Sequence, residues 1–120
     1  MTKTAHLSKE NEIAFIALSN PPMNALSQGV RAGLRKSVEE ALSDNTIKAI
    51  VIHGDGNVFS AGADISEFHL PAIEPHLPDV CDLIERSEKP VICAIHGFAL
   101  GGAFELSLIH ISEPTRPALI

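Results

Sequence analysis

Three features of the sequence predict an α/β fold with helices packed on a parallel sheet. Ile13 to Leu18, Ile47 to His53 and Val91 to Ile95 are short apolar stretches of strand length. An amphipathic helical pattern separates the first two, and strand, helix, strand within about forty residues reads as a βαβ unit with a right-handed crossover. Two small-residue, glycine-containing stretches then follow apolar strands, where α/β proteins tend to place ligands.

The 120 residues suit one ordinary domain with enough apolar content for a core. A net charge of −6 argues against nucleic acid or an anionic membrane as partner. An anionic substrate must therefore be held by local donors rather than by the overall field. Cys81 and Cys93 lack CxxC spacing and no secretory segment opens the chain, so a reducing interior is expected. No apolar run reaches membrane-spanning length.

In chain order, Met1 to Asn11 is polar and expected to fray. Ile13 to Leu18 is a strand that ends at Ser19-Asn20-Pro21-Pro22, because two prolines forbid its continuation. Met23-Asn24-Ala25-Leu26 bridges to a helix capped by Ser27. Val30, Leu34, Val38, Ala41 and Leu42 fall on one helical face. Arg31, Arg35, Lys36, Glu39 and Glu40 lie largely off it and are assigned only solvation. Asp44-Asn45 ends the helix. The strand Ile47 to His53 follows, with an apolar run, Ala49 to Ile52, expected of a strand covered on both faces. Gly54 to Asn57 is a turn, and Val58-Phe59-Ser60 leads into Ala61-Gly62-Ala63-Asp64-Ile65. Ile65 to Phe68 is expected to be a short helix.

Leu70 to Pro78 contains Pro71, Pro75 and Pro78 and is expected to be an irregular connector, a candidate flap over a ligand. His69 and His76 within it lack the spacing with carboxylates that a metal site requires, so no metal is assigned. His6, His53, His96 and His110 make no stronger case. Asp79 to Ser87 reads as a short helix burying Val80, Leu83 and Ile84. Glu88-Lys89-Pro90 closes it, and Val91 to Ile95 is the strand that follows.

The chemistry-bearing residues lie in the two glycine stretches. Gly97-Phe98-Ala99-Leu100-Gly101-Gly102-Ala103-Phe104-Glu105 reads as a strand-to-helix turn whose exposed N–H groups suit negative charge. Gly102 and Glu105 stand at i and i+3, so a bare amide and a carboxylate share one face. That pair suits a reaction in which a carbonyl oxygen gains charge while a proton moves nearby. A tight structural connection is the plain alternative. No Gly-Lys-Ser/Thr follows, so the stretch is not a phosphate loop, nor does it match Gly-x-Gly-x-x-Gly. In the first stretch Ala63 could donate an N–H, although a plain loop would look the same. Two N–H groups converging on one oxygen form an oxyanion hole.

Asn20-Pro21-Pro22-Met23-Asn24-Ala25, Ser60 to Ile65 and Gly97 to Glu105 together resemble the enoyl-CoA hydratase/isomerase (crotonase) family in order and spacing. The resemblance covers Ile13 to Glu105. Thr46 to Ile52, Val58 to Ser60 and Glu88 to Val91 are most similar to the hydratase part of peroxisomal multifunctional members, which implies a peroxisomal setting. The family resemblance implies a crotonase (ClpP-like) fold of repeated ββα units and an acyl-CoA thioester as substrate. By position it implies Ala63 and Gly102 as oxyanion-hole donors. Ala63, Asp64, Ile65 and Ser66 correspond to the segment contacting the CoA ester, and Glu105 to the first of two catalytic glutamates. Ser66 stands where single-function members often carry lysine. The implied activity is hydration of a 2-enoyl thioester; the alternatives are double-bond isomerisation and non-catalytic acyl-CoA binding on the same fold. Neither metal nor redox cofactor is implied, and NAD only where a dehydrogenase half is joined. Leu106 to Pro117 does not continue the helical register and contains Pro114 and Pro117. Leu106 to Arg116 also resembles a translated sequencing-library adapter. Residues 1–105 are therefore read as the N-terminal part of the domain, and 106–120 as a non-native tail.

Overall fold

The structure, a computed structural model, describes residues 4–68, 71, 73–101 and 111–119. The elements are β1 (Thr4–Glu10), β2 (Ile13–Ser19), α1 (Gln28–Ser43), β3 (Ala49–Gly54), a single 3₁₀ turn (Ile65–Glu67), α2 (Leu77–Glu85), β4 (Val91–Phe98) and β5 (Ile111–Leu119). They form one five-stranded sheet in the order β1-β2-β3-β4-β5. β1 pairs antiparallel with β2, and β2–β3, β3–β4 and β4–β5 are parallel pairs. The strand–helix–strand unit expected from the sequence is thus β2–α1–β3.

α1 begins where expected. The Ser27 hydroxyl accepts from the Val30 N–H, which supplies a partner to one of the donors a helix leaves open at its start. Val30, Leu34, Val38 and Ala41 are buried, together with Ala14, Ile16 and Leu18 of β2 and Ile50 and Ile52 of β3. Val80 and Ile84 of α2 join the same core. Gly33 lies where α1 crosses β1: a Cβ there would stand 2.6 Å from the Ala5 nitrogen.

The sequence reading is corrected at several points. Thr4–Glu10 is a strand rather than a frayed end. Its hydrogen bonds go to β2, Ala5 is buried, and Leu7 packs on the core. The strands are not covered equally on their two faces. Ile50 and Ile52 are fully buried, whereas Ala49, Val51 and His53 on the opposite face are half-buried. The same alternation runs along β4, where Val91, Cys93 and Ile95 are buried while Ile92, Ala94 and His96 are half-buried. Pro78 lies inside the first turn of α2, where proline is tolerated because its missing N–H would have had no helical partner. β4 extends to Phe98, so Gly97 belongs to the strand, at a register shift against β5. Apart from these corrections, Ile111–Leu119, within the stretch read as a tail, lies beside β4 as the last strand of the sheet. Pro114 and Pro117 are compatible with such an edge position.

Candidate functional site

The loop that carries Ala63 is fixed from the core side by two asparagines and a serine. Asn24 is 1% exposed and adopts a left-handed backbone, φ 52°. Its Nδ2 donates to the carbonyls of Asp55 (2.8 Å), Val58 (3.0 Å) and Phe59 (3.3 Å). Its Oδ1 accepts from the Asn20 N–H at 3.0 Å, and Asn20 Nδ2 donates to the Ala25 carbonyl at 3.0 Å. Asn24 and Asn20 therefore close the Pro21-Pro22 turn and tie it to the segment after β3. The Ser60 hydroxyl donates to the Asn24 carbonyl (2.6 Å) and accepts from the Gly62 N–H (3.1 Å).

The backbone donors along this loop are then almost fully engaged. Phe59 N–H donates to His96 O, Ser60 to Phe98 O and Ala61 to Met23 O. Leu26 N–H donates to Gly62 O at 2.7 Å, within a parallel bridge between Leu26 and Ala63. Among the described residues the Ala63 N–H has no hydrogen-bond partner, and Ala63 is exposed. A backbone donor left open in an otherwise saturated loop is available to a ligand oxygen.

The second glycine stretch arrives at the same place. Ser60 bridges Ala99, and the Leu100 N–H donates to Ser60 O at 3.2 Å. Gly62 has φ +95°, and a Cβ on it would lie 2.6 Å from the Leu100 carbonyl oxygen and 3.6 Å from Gly101 Cα. Only glycine allows this approach. The described chain reaches Gly101 here; Gly102 and Glu105 lie outside the described residues.

Beside Ala63 opens a cavity of about 360 Å³, lined by Leu26, Phe68, Pro71, Ile73 and Leu77 with Arg31, Asp64, Glu67 and His76 at its polar parts. The Asp64 carboxylate accepts from the Ser66 N–H (3.0 Å) and the Ser66 hydroxyl (2.7 Å), capping the 3₁₀ turn. Ile65 is 73% exposed. Of the segment Ala63–Ser66, then, Asp64 and Ser66 engage each other, while Ala63 and Ile65 face outward.

Arg31 corrects the sequence reading, which gave the charges of α1 no role beyond solvation. Its side chain is 12% exposed and pairs with Glu67 at 3.1 Å. It also donates to the carbonyls of Leu26 (2.7 Å), Ile73 (3.1 Å) and Pro75 (2.7 Å). His76 faces Asp79 at 3.6 Å. Among the described residues no group of three His, Cys, Asp or Glu side chains stands close enough to hold a metal ion.

The chain as a whole has counterparts among known proteins. Residues 8–110 match the family model described as enoyl-CoA hydratase/isomerase. The chain belongs to the enoyl-CoA hydratase/isomerase family. It is similar to the peroxisomal bifunctional enzyme of Danio rerio, 50% identical over 100 residues that span 83% of this chain and 14% of the relative. A probable enoyl-CoA hydratase of Bacillus subtilis is 37% identical over 109 residues, covering 85% of this chain and 42% of that protein. The crystal structure of an enoyl-CoA hydratase/carnithine racemase from Magnetospirillum magneticum superposes with a TM-score of 0.82 at 30% identity, over 95% of this chain and 47% of that one. The chain thus spans a minor part of the curated relatives it matches, and its fold is the crotonase fold expected from the family resemblance.

The described structure brings the Ala63 loop against Leu100 and Gly101. Asn24 and Ser60, which hold that loop, were quoted in the motifs but given no task by the sequence reading. The carbonyls to which their side chains donate lie more than thirty positions away in the chain. Arg31 and Glu67 carry no sequence signal that distinguishes them from solvated charges.

Proposed function

We propose that the complete protein hydrates 2-enoyl-CoA thioesters to 3-hydroxyacyl-CoA, as a hydratase of fatty-acid β-oxidation. The observation that carries this reading is the unspent Ala63 N–H in a loop packed through Gly62 against Leu100-Gly101, next to an apolar cavity. Water adds through its oxygen to C3, and C2 takes a proton, while negative charge collects on the thioester oxygen. Ala63 and Gly102 are assigned as the two donors to that oxygen, each worth roughly 3 kcal/mol by analogy with other oxyanion holes. Glu105 is assigned to position the water and carry a proton. Asp64, Ile65 and Ser66 are assigned with Ala63 and Gly102 to the CoA ester contact. The reaction neither oxidises nor reduces its substrate overall, so it calls for no redox cofactor, and the carboxylate and amide donors answer its charge without a metal. Relatives named as peroxisomal support a peroxisomal location.

The test is steady-state hydration of a 2-enoyl-CoA by the full-length protein and its Glu105→Gln variant, followed by loss of the conjugated thioester absorbance. The variant is expected to lose about 10²- to 10⁴-fold in kcat, with KM largely kept. Gly102→Pro removes an N–H and is expected to lose at least about 10²-fold. Unchanged turnover by Glu105→Gln would remove that residue from the mechanism.

A further inference from the structure

The wall of the cavity beside Ala63 is built from a segment with little regular structure of its own. Residues 73–76 precede α2, and Ile73 is 52% exposed on the cavity's rim. What holds this connector is α1. The Gln28 side-chain amide donates to the Glu74 carbonyl at 3.0 Å, and Arg31 donates to the carbonyls on either side, Ile73 and Pro75. The same guanidinium reaches Leu26 O, and the Leu26 N–H in turn holds Gly62 O. Arg31 is therefore linked through a single residue, Leu26, to the loop of the open donor. Glu67 completes the clamp: one carboxylate oxygen pairs with Arg31, and the other accepts from the Gln28 N–H at 2.9 Å, at the start of α1. A planar guanidinium with several fixed donors suits this task, and an ammonium on a flexible stem does not.

We propose that Arg31 is a positioning residue that fixes the connector over the cavity and so sets which acyl chain lengths the site accepts. The chain-length part rests on the enoyl-CoA reading above. The cavity lining supports it: Leu26, Phe68, Ile73 and Leu77 offer an apolar surface next to Ala63, and Phe68 is 70% exposed. Two of the three bonds that hold this wall to α1 come from Arg31 and the third from Gln28.

The experiment compares the full-length protein with Arg31→Met and Arg31→Lys by two independent readouts. In steady-state hydration, Arg31→Met is expected to shift the ratio of kcat/KM for a long-chain over a short-chain 2-enoyl-CoA by about tenfold toward the long chain, carried by KM. Arg31→Lys should fall between, because one ammonium cannot serve three carbonyls and a carboxylate. In hydrogen exchange, the amides of Asp79 and Val80, which donate to His76 O at the end of the connector, should exchange about tenfold faster in Arg31→Met, while residues 59–62, held by Asn24 and Ser60, keep their protection. Equal loss for both substrates, or unchanged exchange at Asp79 and Val80, would overturn the proposal. If the unaltered protein hydrates neither substrate, the enoyl-CoA reading and its chain-length consequence fail together, and faster exchange would still establish the clamp.

Discussion

At the scale of single residues, Asn24 serves three carbonyls with one amide group from a left-handed backbone position. Asn24→Ala would leave those buried acceptors without their donor, and is expected to cost about 2–4 kcal/mol in urea unfolding. Its place within the first motif was legible in the sequence, but its task was not, because hydrogen-bond partners distant in the chain leave no local pattern. Cys93 carries a second prediction. Burial, and secondarily the nearby Cys81, push its thiol up to about 12 from an ordinary 9.0. Between those values the unfolded chain releases a proton that the folded chain keeps. The thiol's contribution is thus constant below pH 9 and becomes destabilising above it, by about 1.4 kcal/mol per pH unit. Unfolding curves at several alkaline pH values should show this slope, and Cys93→Ala should remove that share of it. An unaltered slope in Cys93→Ala would show that the thiol ionises freely in the folded state.

At the scale of elements, α1 and the cores of β2, β3 and β4 were legible because each carries its own periodicity. β1 was not, since Ala5 and Leu7 alone give too short an alternation to set against its polar neighbours. Its position depends on partners: β2 through the hydrogen-bond ladder, and α1 through the contact at Gly33. Gly33→Ala tests that contact by the sign of its effect. In a free helix the change would stabilise by about 1 kcal/mol. Here the new Cβ meets the Ala5 backbone, with its nitrogen at 2.6 Å and its oxygen at 3.0 Å, and a Thr4 side chain. The helix must back away, and a net loss of about 1–3 kcal/mol is expected in thermal unfolding. A gain would mean that α1 and β1 are not so closely joined.

At the scale of the whole molecule, the sheet has one face sealed by helices and another only half covered. The apolar runs of β3 and β4 predicted two covered faces, since composition along a strand reports what could be buried and not what lies against it. Ile52 and Ile92 separate the two faces with identical chemistry: Ile52 is fully buried, and Ile92 is half-buried beside Val51. Ile52→Ala is expected to cost about 3–5 kcal/mol and Ile92→Ala about half as much, by urea unfolding. Equal costs would mean that both faces are packed alike. The legible part of the site was its location at the ends of strands. The brace around it was not, because Arg31 meets Glu67 only when the 3₁₀ turn packs beside α1, and meets Ile73 and Pro75 only when the segment after that turn folds back. That division of labour has an engineering consequence. The donor loop hangs on Asn20, Asn24 and Ser60 beneath it, whereas the cavity wall hangs on Arg31 above it. Replacing residues 73–76 with a relative's segment is therefore expected to alter what the cavity admits while the donor loop stays where it is.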